Sequence, residues 1–128
     1  MTNIYLGIDY GTVHVGVAIA EHMLATPLPT LINDQALLTK LKTIIATHQI
    51  THIIVGLPSG KLVSEIELFV TNLKQATRLP VTLHDETLTS QDATRQLREA
   101  GASRSKKKSE HSYSAALILE DYLDSVKL

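Results

Sequence analysis

The sequence predicts an α/β protein built on one mixed five-stranded sheet, a three-strand antiparallel meander plus two parallel strands, flanked by helices. Two patterns predict it. Val13, Val15, Val17 and Ile19 recur at period two just after an apolar run that ends at Gly11-Thr12, the mark of two strands in a hairpin. Further on, short apolar runs alternate with stretches whose apolar residues recur at helical spacing, the mark of strands joined by helical crossovers. The length of 128 residues supports a single domain spanning residues 1–128.

Taken in order, Ile4 to Tyr10 is the first expected strand and Val13 to Ala20 the second. Their short connection favours an antiparallel hairpin. Leu24 to Leu31 is the third strand, and Pro27 and Pro29, which lack a backbone donor, confine it to a sheet edge. Ala36, Leu37, Leu41, Ile44 and Ile45 form the stripe of an amphipathic helix, with Asp34 as its cap. His52 to Gly56 is a short strand ended by Leu57-Pro58. Ser64 and Glu67 have the spacing of a capping box, and Ile66, Phe69 or Val70, and Leu73 form the stripe of the helix they start. Val81 to Asp85 is the fifth strand. Thr89 is placed to cap a helix carrying Ala93, Leu97 and Ala100, with Gly101 just past its end. Ala115, Ile118, Leu119 and Tyr122 mark a last helix. The helical crossovers imply parallel pairing of the later strands.

Composition narrows the functional classes. Hydrophobic residues make up 44% and charged residues 20%, as in a globular chain rather than a disordered one. The absence of cysteine excludes disulfides, thiolate zinc sites and Cys nucleophiles. No stretch approaches the roughly 20 apolar residues of a membrane span, so no membrane association is expected. The residues from Met1 to Gly11 do not have the make-up of a secretory signal, which makes a cytoplasmic location the expectation. The net charge of -1 conceals a split. Arg95, Arg98, Arg104, Lys106, Lys107 and Lys108 are opposed between them only by Glu99, while the rest of the chain is acidic. Such a basic segment displaces counterions from a phosphate backbone and confers salt-sensitive, sequence-independent affinity for nucleic acid. With one Phe and four Tyr, the chain has little with which to stack bases, so backbone contact is the expected mode.

Two acidic positions bear on chemistry. Asp9 ends the first strand and is followed at once by the Gly11 turn, so it can be held rigidly and still face a ligand. Between apolar strands, an acid needs a cation or hydrogen-bond donors. His84-Asp85-Glu86 ends the fifth strand, and side-chain alternation keeps Asp85 and Glu86 from facing one site together. Carboxylates at neighbouring strand ends can share divalent ions, and oxygen ligands suit Mg²⁺ or Mn²⁺, which activate water in phosphodiester cleavage. Of the six histidines, His48 and His52 straddle a helix-to-strand boundary, and His14 and His22 read as surface residues. His111 stands apart, at the start of the last helix beside the basic segment.

Together, Gly7-Ile8-Asp9-Tyr10-Gly11-Thr12 with Val15-Gly16-Val17-Ala18, Val55-Gly56-Leu57-Pro58, Asp85-Glu86-Thr87-Leu88-Thr89 and Ala115-Ala116-Leu117-Ile118-Leu119 resemble the YqgF/RuvX family over essentially the whole chain. The resemblance implies an RNase H-like fold. It implies a nuclease that hydrolyses phosphodiester bonds, in processing the 5′ end of pre-16S rRNA or, alternatively, in resolving Holliday junctions. It makes Asp9 the strand-one catalytic aspartate and Glu86 the second carboxylate. The third acid of the pattern falls on His111, so Asp9, Glu86 and His111 are the expected catalytic and metal-binding set. A neutral imidazole suits magnesium less well than a carboxylate does. Thr87 stands where the family usually has Arg, and the loop from Ser59 to Phe69 lacks the family's usual Asn and Asp-Gly.

These departures leave a non-catalytic nucleic-acid-binding module as the alternative to a metal-dependent endonuclease. The first motif also resembles the phosphate loop of the actin and Hsp70 superfamily. Those proteins clamp nucleotide between two such domains, and 128 residues supply only one. The expected partner is nucleic acid, pre-rRNA or branched DNA, and the expected state a monomer or weak homodimer.

Overall fold

The computed structural model describes residues 2–57, 63–85 and 110–126. Five strands form one sheet: β1 (Tyr5–Asp9), β2 (His14–Ala20), β3 (Ala25–Ile32), β4 (His52–Leu57) and β5 (Val81–Asp85). Their spatial order is β3-β2-β1-β4-β5. β1, β2 and β3 pair antiparallel, while β4 and β5 run parallel to β1. The described helices are α1 (Leu37–His48), α2 (Val63–Thr77) and α3 (Glu110–Ser125). The expected meander and parallel pair are therefore present. The helix expected from Thr89 to Ala100 lies outside the described residues.

Alternation along the strands gives the sheet two unlike faces. On one face, Leu6, Ile8, Val15, Val17, Ile53 and Val55 pack with Leu37 and Leu41 of α1 and Ile66, Phe69, Val70 and Leu73 of α2. Burial of each large aliphatic side chain stabilises the fold by roughly 1.5–3 kcal/mol. The opposite face is made of small residues on β1 and β2. Gly7, Gly16, Ala18 and Ala20 lie under α3, which contributes Ala115, Ala116, Ile118, Leu119 and Leu123. A Cβ on Gly7 would lie 2.9 Å from the Ala115 carbonyl oxygen, and one on Gly16 would lie 2.0 Å from the backbone of His111. Both are closer than real contacts allow, so these glycines set how near α3 comes to the sheet.

The third strand occupies an edge, as its prolines require. It also carries an irregularity. Val15 stands opposite Leu31 and Val17 opposite Leu28, so Pro29 and Thr30 together face Gly16. Two expected caps differ from the structure. α1 begins at Leu37 after Ala36, without a side-chain cap. Asp34 instead accepts a hydrogen bond from the Ala36 N–H at 2.9 Å, closing a turn just ahead of the helix. Ser64 lies inside α2, which already includes Val63, so it is not in the extended conformation an N-cap needs.

Replacing Gly16 by Ala places a methyl group against backbone that has no flexible side chain to yield. The expected cost is about 1–3 kcal/mol or more, the usual range for overpacking, measured as a lowered midpoint in urea unfolding. An unchanged midpoint would mean that α3 does not seat on Gly16.

Candidate active site

β1, β4 and β5 are parallel, so their C-terminal ends, at Asp9, Leu57 and Asp85, share one edge of the sheet. Asp9 is turned to the α3 side and is only 7% exposed. There it meets the first turn of α3, where the helix dipole favours negative charge. His111 Nδ1 lies 3.2 Å from Asp9 Oδ2, and the His111 side chain is 40% exposed. One ring nitrogen is thus on the buried acid while the side chain reaches the surface.

Two devices hold these groups in register. Ser112, buried at 1% exposure, follows His111 on α3. Its Oγ accepts the Val17 N–H at 3.2 Å and lies 3.0 Å from Thr30 Oγ1. These bonds join α3 to β2 and β3 where the pairing of the two strands is irregular. The second device fixes the turn between β1 and β2. Asn33 donates from its backbone N–H to the Val13 carbonyl at 2.8 Å and from Nδ2 to the Gly11 carbonyl at 2.7 Å. Within that turn, a Cβ on Gly11 would lie 2.3 Å from the His14 carbonyl oxygen and 3.3 Å from His111 Cε1, so only glycine fits. His14 follows, half-buried, with its ring centroid 6.0 Å from that of His111 and the planes 29° apart.

The structure thus brings together two of the expected site residues, Asp9 and His111. Glu86, Arg95, Arg98, Arg104, Lys106, Lys107 and Lys108 lie outside the described residues. Asp85 ends β5 and is exposed. Asp121, on the same helix as His111, pairs with His84 Nε2 at 2.6 Å, beside the Tyr122 ring. Among the described residues no three His, Asp or Glu side chains converge as a complete ligand set. His14 is a correction to the sequence reading. It is not a simple surface residue, because α3 folds across β2 and brings His111 against it. Ser112, Thr30 and Asn33 carry no signal in the sequence. Their roles depend on contacts between distant segments, on which periodicity is silent.

The strand order, the two-faced sheet and the strand-end acid under a final helix define an RNase H-like fold. Solved structures agree. Thermus thermophilus RuvC in complex with a Holliday junction substrate matches with a TM-score of 0.60 at 12% identity, over 97% of this chain and 96% of that one. The Fowlpox virus resolvase with substrate Holliday junction DNA matches with a TM-score of 0.61 at 13% identity, over 97% and 99%. The chain belongs to the RuvX family, described as Holliday junction resolvase, which matches residues 3–125. Relatives named "Putative pre-16S rRNA nuclease" include one from Rickettsia typhi, 33% identical over 95% of this chain and 85% of the relative. Another, from Desulfitobacterium hafniense, is 36% identical over 95% and 92%.

Ser112→Ala leaves the Val17 N–H and Thr30 without their buried partner. The expected destabilisation is about 1–3 kcal/mol, read from urea unfolding. Full stability in that variant would remove Ser112 from the latch.

Proposed function

We propose that this protein is a nuclease that hydrolyses phosphodiester bonds with the help of Mg²⁺ or Mn²⁺, acting at the 5′ end of pre-16S rRNA. The observation that carries the proposal is the buried Asp9 carboxylate at the end of β1, held against His111 by α3. A carboxylate this buried needs compensation, and among the described residues its hydrogen-bond partner is His111. An oxygen donor beside an imidazole fits a divalent ion, and the imidazole favours manganese over magnesium. Asp9 and His111 would hold the ion with Glu86, the residue that follows Asp85 in the sequence. When bound, such an ion acidifies a water and offsets the charge that builds on the phosphate oxygens. Asp9 contributes negative charge from a rigid strand end, and His111 contributes a ring nitrogen at the accessible rim. The basic residues Arg95, Arg98, Arg104, Lys106, Lys107 and Lys108 bind the phosphate backbone.

The names of the Rickettsia and Desulfitobacterium relatives support the rRNA substrate. The family description favours a second substrate, the Holliday junction. The two are separated by offering precursor rRNA and a four-way junction to the same preparation. Cleavage of the rRNA substrate with Mn²⁺, faster than with Mg²⁺, is expected. Asp9→Asn should lower that rate by more than the roughly 10–100-fold typical of losing an outer-shell partner of a metal ligand. Equal cleavage by Asp9→Asn would exclude the proposed site, and exclusive cleavage of the junction would replace the substrate. No cleavage by the parent protein with either ion would leave a binding module.

Replacing Lys106, Lys107 and Lys108 by Ala should weaken RNA binding and flatten its salt dependence. The log–log slope should fall by about 0.7 for each single-strand phosphate that these lysines neutralise. An unchanged slope would show that the basic segment does not touch the backbone.

A further inference from the structure

A strand whose scissile phosphate sits at Asp9 and His111 extends beyond that phosphate on both sides. The face of the sheet that carries Asp9 continues outward across β2 and β3. On β2, His14 shares that face with Gly16, Ala18 and Ala20, because side chains two apart along a strand point the same way. Its ring centroid lies 6.0 Å from that of His111, whose Nδ1 is 3.2 Å from Asp9 Oδ2. His14 is half-buried, and among the described residues neither of its ring nitrogens is engaged in a hydrogen bond. It therefore offers an N–H donor at the rim of the acid–imidazole pair. Ile32 stands opposite His14 in the β2–β3 register. Directly opposed residues point to the same face, with Cβ atoms roughly 5 Å apart. A single exposed isoleucine is ordinary on a protein surface. This one, 48% exposed, lies across from the unbonded imidazole, and Val13, just before His14, is 59% exposed. A row thus runs from the buried acid on β1, past the imidazole on β2, to an aliphatic side chain on β3. At ordinary strand spacing it spans roughly 10 Å.

We propose that His14 and Ile32 form a subsite for the nucleotide next to the scissile phosphate. The His14 ring donates an N–H to a phosphate oxygen, and the base packs on Ile32. The subsite rests on the reading of Asp9 and His111 as the cleavage site for its place along the strand, but the binding itself needs no metal. Chemistry assigns the two roles. An imidazole carries an N–H donor whether it is neutral or protonated, and an ionised phosphate oxygen is a strong acceptor. An aliphatic side chain offers a phosphate nothing. Asp34, exposed and two residues beyond Ile32, makes that end of the row unfavourable for a second phosphate. A nucleobase has an apolar face that suits Ile32, and every base has one, so the contact is indifferent to sequence.

The experiment uses two probes, a short fluorescein-labelled single-stranded RNA and a base-free strand of the same length and label. Each is titrated by fluorescence anisotropy against the full chain in EDTA, at one fixed pH. His14→Ala should weaken binding of both strands about tenfold, the lower end for a hydrogen bond to a charged group. Ile32→Ser should weaken the RNA about fivefold, the lower end for a base held by a side chain. It should leave the base-free strand within about twofold of the parent. Urea midpoints close to the parent's are expected in both variants, since both side chains lie at the surface. Parent-like RNA affinity in either variant, or an equal loss on both strands in Ile32→Ser, overturns the proposal. A second measurement follows the ¹⁵N-labelled His14 ring by NMR as the base-free strand is added to the parent protein. Its signals should shift, and unmoved signals would remove His14 from the phosphate contact. If binding follows the expected pattern while neither Mn²⁺ nor Mg²⁺ supports cleavage, the nuclease reading fails and the subsite stands.

Discussion

The close seat of α3 on the sheet is the contact on which the rest of the site depends. It exists because β1 and β2 present Gly7, Gly16, Ala18 and Ala20 on one side and large aliphatic side chains on the other. A helix lying on glycine and alanine comes nearer than one lying on valine or isoleucine, and its backbone meets the strands directly. At Gly16 the approach is so close that the His111 main chain occupies the space of a side chain. His111 reaches Asp9 because its backbone is pinned there.

The polar contacts follow from that seat. Where Pro29 and Thr30 face a single residue of β2, regular pairing is interrupted, and the Ser112 hydroxyl serves the Val17 N–H from above the sheet. A buried amide is costly to leave unsatisfied, so a misplaced α3 would lose both packing and this bond. Asn33 does comparable work on the neighbouring turn. The acid and the imidazole are thus held by backbone elements rather than by mobile loops, the condition under which a site can be pre-organised for its ligand.

The chemistry of the site differs from a purely carboxylate one. An imidazole beside Asp9 places a ring nitrogen, rather than a second carboxylate, against the buried acid. Further along α3, the His84–Asp121 pair shows that the acid at position 121 is committed to joining the helix to β5.

Much of the fold was legible in the sequence. The period-two valines of β2, the prolines of β3 and the stripe Ile66, Phe69, Val70 and Leu73 state which residues alternate and which face a core, because both patterns follow from local geometry. The motif around Asp9 and the position of His111 were also readable, through their resemblance to a family. The caps were read less well, because Asp34 and Ser64 satisfy a spacing rule that other turn geometries satisfy too. What only the tertiary structure decided is how segments about a hundred residues apart meet. The sequence by itself determined that Asp9 ends a strand and that His111 opens a helix. Their distance, the Ser112 latch and the nearness of His14 to His111 were set by the packing of α3 on two glycines, since a side chain's partners depend on the approach of backbones that no local pattern encodes.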